Sequence, residues 1–99
     1  MTDIADLNEF ESTPHAEVFA APGPRVVRLQ LEAGDEMPEH SHPGETIVLH
    51  VLAGELDLRL DGEPNHLQGD ELIRFDGDQD IQPRALSDTK ALLFFCTTE

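Results

Sequence analysis

The sequence predicts an all-β domain, and three observations predict it. Apolar and polar residues alternate with period two along most of the chain, turns containing Gly, Pro or Asp recur at short intervals, and helical periodicity is nearly absent beyond the first dozen residues. Ninety-nine residues support one domain with a modest core. Many short strands with regularly spaced turns suggest a sandwich or small barrel.

Residues 1–24 read as an irregular N-terminal segment, partly disordered over Met1–Thr13, with a short edge strand at Ala16–Ala20. Residues 25–99 read as the barrel. In Arg25–Glu32 the residues Val27, Leu29 and Leu31 share one face, and Arg28, Gln30 and Glu32 the other. The apolar run Ile47–Leu52 is a second strand, in which His50 faces away from Ile47 by the same alternation. Leu56, Leu58 and Leu60 alternate with Asp57, Arg59 and Asp61. Asp61-Gly62 then predicts a two-residue hairpin, because both residue types tolerate positive φ. In Lys90–Thr97 the residues Leu92, Phe94 and Cys96 are expected to share the inward face, with Cys96 a small buried hydrophobe. Turns fall at Pro22-Gly23-Pro24, Ala33-Gly34-Asp35, Ala53-Gly54-Glu55, Gln68-Gly69-Asp70 and Asp76-Gly77.

Charge excludes several functions. Six Lys and Arg against 21 Asp and Glu give a formal charge of −15, which repels phosphate backbones and anionic membranes, so neither nucleic acid nor membrane is an expected partner. The acids are spread along the chain and only one lysine is present, a pattern expected of a halophile, where molar salt shortens self-repulsion to roughly 3 Å. A single cysteine excludes an intrachain disulfide. The N-terminus MTDIADLNEF has no basic n-region and no long apolar stretch, which predicts a cytoplasmic protein.

The segment GDEMPEHSHPGETIVLHVLAG, residues 34–54, holds the chemistry. His40 and His42 are two residues apart, and side chains at i and i+2 of an extended segment point the same way, so both imidazoles can converge on one ion or ligand. The alternative reading is two solvent-exposed turn histidines between Pro38 and Pro43. His15 and His66 belong to no motif and read as surface residues. No strained nucleophile turn and no glycine-rich phosphate loop is present.

Gly34, His40, His42 and Gly54 stand at the spacing of the first motif of the cupin family, which the chain resembles from about Val26 to Phe95. The resemblance implies a double-stranded β-helix, or jelly-roll barrel, with a metal site at its mouth. It also implies two departures from the usual ligands. Counting back from Gly54 puts Ile47 at the glutamate position, and aligning Gly69 and Gly77 on the second motif puts Phe75 at its proline and Asp80 at its histidine. Ile47 cannot coordinate. Asp80 can, and Glu45 stands nearby, so His40, His42, Asp80 and Glu45 are the candidate metal residues, for zinc, iron, manganese or nickel held weakly or absent.

These readings predict a small-molecule-binding barrel, homodimeric, with a degenerate divalent-metal site. Its cavity is expected to be lined by Val27, Leu29, Leu49, Val51, Leu58, Phe75 and Phe94. One alternative is a metal-dependent enzyme, of isomerase or oxygenase type, acting on a small carbonyl or sugar-derived compound. Another is a metal-free structural or interaction protein, for which five Phe and no Trp or Tyr supply few interface anchors.

Overall fold

The computed structural model describes residues 2–20 and 23–97. Among the described residues eight strands follow a single 3₁₀ turn at Leu7–Glu9: β1 His15–Phe19, β2 Arg25–Leu31, β3 Glu45–Ala53, β4 Glu55–Leu60, β5 Glu63–Gln68, β6 Leu72–Asp76, β7 Ile81–Ala85 and β8 Thr89–Thr97. They form two antiparallel sheets, one ordered β1-β2-β8-β3-β6 and the other β5-β4-β7. This is the two-sheet β architecture that the alternation predicts, in the jelly-roll arrangement that the cupin resemblance implies. No helix among the described residues is long and apolar enough to cross a membrane.

The core lies between the sheets. Leu29 and Leu31 of β2, Ile47, Leu49 and Val51 of β3, and Ala91 of β8 face Leu56, Leu58 and Leu60 of β4, with Ile81 and Ala85 of β7 beside them. Ile47, Leu49, Val51, Leu56 and Leu58 have no exposed surface. Burying a side chain of this size contributes about 1.5–3 kcal/mol, so this seam holds the barrel closed.

The phase of β8 differs from the expected one. Ile47 pairs with Phe95, Leu49 with Leu93 and Val51 with Ala91. Directly paired residues share a face, so Ala91, Leu93 and Phe95 point inward. Phe94 is 38% exposed on the outer face, and Cys96 is exposed rather than buried. The cause is visible in Leu92-Leu93-Phe94-Phe95: with large apolar residues at both parities, alternation within β8 does not fix its phase. The cleaner pattern of β3 imposes it.

Two other expectations are met in detail. Asp61 and Gly62 both adopt positive φ, 52° and 81°, and close the β4–β5 hairpin with Leu60 opposite Glu63. The edge strand appears as β1, paired with β2. The turn expected at Pro22-Gly23-Pro24 lies partly outside the described residues.

Arg28 is a finding that the alternation does not anticipate. It sits on the face of β2 away from the core, yet is 1% exposed. The segment 7–12 covers it and accepts its hydrogen bonds: Nη1 donates to the carbonyls of Leu7 (3.3 Å) and Phe10 (3.0 Å), and Nη2 to that of Ser12 (2.7 Å). A long polar side chain from the sheet thus pins the N-terminal segment across it.

Candidate ligand site at the barrel mouth

The chain from Gly34 to His40 runs along β7 as an irregular extra strand. Gly34 N–H donates to Ala85 O (2.9 Å), Met37 N–H to Pro83 O (3.0 Å) and His40 N–H to Ile81 O (3.0 Å), while Ile81 N–H donates back to His40 O (2.6 Å). His40 is thereby fixed at one rim of the barrel. His42 is fixed at the opposite sheet, where its N–H donates to Gly77 O (2.7 Å) and Gly77 N–H donates to Glu45 O (2.8 Å). Gly77 has to be glycine here, because a Cβ would collide with the carbonyl oxygen of His42 and lie 2.7 Å from that of Glu45. The second motif glycine therefore anchors the histidine segment from the far side.

The two imidazoles meet edge to face with ring centroids 5.0 Å apart. His40 Nδ1 lies 2.9 Å from Pro38 O. A carbonyl only accepts, so the contact is a hydrogen bond when Nδ1 carries the proton, and that neutral tautomer leaves the lone pair of Nε2 for a ligand. The His42 ring also meets the Phe95 ring at 5.0 Å. Burial holds the His42 imidazole below the ordinary histidine range, His40 and Arg25 push in the same direction, and the Glu45 carboxylate opposes them.

Beneath the histidines lies a cavity of about 320 Å³. Val27 and Leu29 of β2, Ile47 and Leu49 of β3, Phe75 of β6, and Leu93 and Phe95 of β8 form one wall. Leu58 of β4 and Ile81 and Pro83 of β7 form the other, and Met37 and Pro38 close it from the loop. Of the expected lining, Val27, Leu29, Leu49, Leu58 and Phe75 take part. Val51 is buried but does not line the cavity, and Phe94 gives way to Phe95.

Among the described residues the polar side chains of the lining are those of His40, His42, His15 and Arg25, at the mouth. His15 is exposed, as expected of a surface residue, yet it pairs with Leu29 and so shares the inward parity. Arg25 lies two residues before Val27 on the same face of β2. Its guanidinium carbon sits 4.8 Å from the centroid of Phe95, and its Nε donates to Glu17 Oε1 and Oε2, both at 3.0 Å. Sequence reasoning missed both residues as site groups, although the parity of β2 was enough to find Arg25.

The metal candidates separate. His40 and His42 are brought together, and Glu45 approaches His42 closely enough to act on its charge. Glu45 Oε2 is buried with no hydrogen-bond partner among the described residues. Asp80 is exposed and does not line the cavity; its N–H donates to Asp61 Oδ1 (2.8 Å), which ties the loop to the β4–β5 hairpin. A resident divalent ion takes three or four protein donors. Among the described residues no group of three or more His, Cys, Asp and Glu side chains is arranged to hold one. As they stand, the residues offer two imidazoles and do not fit such a centre.

Comparison with known proteins agrees with the architecture. The KdgF structure from Halomonas sp. superposes with a TM-score of 0.83 at 16% identity, over 100% of this chain and 96% of that one. An RmlC-like cupin protein from Desulfovibrio desulfuricans gives 0.84 at 21%, over 97% of both chains. A predicted oxalate decarboxylase from Thermotoga maritima gives 0.72 at 17%, over 84% of this chain and 78% of that one. At such identities the likeness speaks for the fold alone. No curated protein sequence matches the chain. The family model described as "Cupin domain" matches residues 27–97, from the second strand to the end of the last, and the chain belongs to that family.

Proposed function

We propose that this protein is a small-molecule-binding barrel whose ligand enters the apolar cavity and meets His40, His42 and Arg25 at the mouth. The observation that carries this reading is the cavity itself, with apolar side chains from six strands around it and polar groups confined to one end. That distribution suits a ligand whose body is desolvated and whose outer end is hydrogen-bonded. His40 and His42 act here as ligand contacts. A divalent ion on the same pair would have two protein donors and water for the rest, which makes it loosely held.

Thermal denaturation with the small neutral phenol p-cresol tests the reading. A compound that binds only the folded state raises the melting temperature in proportion to its occupancy. The wild-type protein is expected to be stabilised by millimolar p-cresol, and Leu58→Phe, which fills the cavity, to lose the effect while still unfolding cooperatively. No stabilisation of the wild type would overturn the proposal. Zinc titration of the wild type and of the His40→Ala/His42→Ala variant checks the metal clause, with weak uptake expected in the first and none in the second.

A further inference from the structure

We infer that the ligand class of this cavity is a small monocarboxylate with an apolar body, its carboxylate seated on the guanidinium of Arg25; the inference rests on the binding function proposed above. Three observations carry it. First, in a chain with 21 acidic residues, none of those described lines the cavity. Among the described residues the only side chain there with a permanent charge is that of Arg25. Second, that guanidinium is held in place before any ligand arrives. Phe95 lies against it at 4.8 Å, and Glu17 takes its Nε. The two Nη groups have no hydrogen-bond partner among the described residues. A planar, pre-oriented pair of N–H donors at the open end of an apolar chamber matches the fork geometry of a carboxylate. Third, about 320 Å³ holds roughly ten waters at ~30 Å³ each, so the body that fits has on the order of ten non-hydrogen atoms.

Glu17 sharpens the argument because its sign is opposed. It orients Arg25 but also offsets part of the positive charge, so its removal should help an anion and leave a neutral ligand unaffected. His15 and His42 flank the same mouth and can donate to the second carboxylate oxygen.

Phenylacetate and its neutral isostere phenylacetamide, titrated calorimetrically at one fixed salt concentration, decide the matter. Phenylacetate is expected to bind at least about tenfold more tightly than the amide, the scale of a charge-assisted hydrogen bond. Arg25→Gln should remove that preference by weakening the acid far more than the amide, and Glu17→Gln should enlarge it. Equal binding of acid and amide, or a preference that survives in Arg25→Gln, would overturn the inference and leave the cavity reading standing. Failure of both probes in a protein that p-cresol stabilises would do the same, whereas failure of all three compounds would overturn the binding function itself. Should Arg25→Gln not fold, the Glu17→Gln variant decides alone: an unchanged or weakened preference for the acid contradicts the inference.

Discussion

The imidazole of His42 stands between two rings, edge to face with His40 and with Phe95, each at a centroid distance of 5.0 Å. This places a titratable group against an apolar wall and beside a second histidine. Its proton affinity is therefore lower in the folded protein than in the unfolded chain, chiefly through burial.

A pH dependence follows, with a definite sign. Because the folded state holds the His42 proton less tightly, the unfolded state binds more protons as pH falls. The stability contributed by neutral His42 is fully present above the ordinary value of 6.5 and is lost as pH drops from there through the lowered folded value. His42→Gln is expected to flatten the melting-temperature profile in this window relative to wild type. Scans between about pH 7.5 and pH 5 check it, and an unchanged slope would show that the ring is not desolvated.

Gly77 ties the mouth together, so its substitution should damage the site more than the barrel. An added Cβ collides with His42 O and crowds Glu45 O, displacing the segment that carries both side chains. Gly77→Ala is expected to cost about 2–4 kcal/mol in urea unfolding and to abolish p-cresol binding. Gly54→Ala should be at least as destabilising. There φ is +92° and the new Cβ would run into Asp88 O, but at that turn the loss is one of fold stability and not of the mouth.

Arg28 makes a separable prediction about the N-terminal segment. Arg28→Met keeps most of the side-chain volume but leaves the carbonyls of Leu7, Phe10 and Ser12 without their donor. A loss of about 3 kcal/mol is expected. Amide hydrogen exchange should accelerate across residues 7–12 while β3 and β4 stay protected. Uniform acceleration over the whole barrel would contradict the pinning role.

Much of the fold was legible because a half-buried sheet writes itself as period-two alternation. Val27, Leu29 and Leu31, and Leu56, Leu58 and Leu60, occupy the predicted face. Alternation carries no phase where both parities are apolar, as in Leu92 to Phe95, since only pairing with β3 sets it. It fails again at Arg28, where a charge on the outer face is covered by a distant part of the chain. The approach of the two histidines was legible from spacing, whereas Glu45 was legible only as a residue able to swing in from the turn before the strand. Asp80 was chosen by alignment, while the structure uses its N–H to fasten a loop. Arg25 shares the parity of Val27 and Leu29 on β2 and was legible from it, whereas His15 reaches the mouth through the pairing of β1 with β2, which no local pattern encodes.

Carbon-13 methyl NMR during a p-cresol titration tests the central claim most directly, because the cavity is lined by methyl groups whose outward neighbours serve as internal controls. Saturable shifts are predicted at Leu49, Leu58, Ile81 and Leu93, with Leu72 and Leu92 on the outer face unmoved. Shifts confined to the outer leucines, or none at all, would contradict the account.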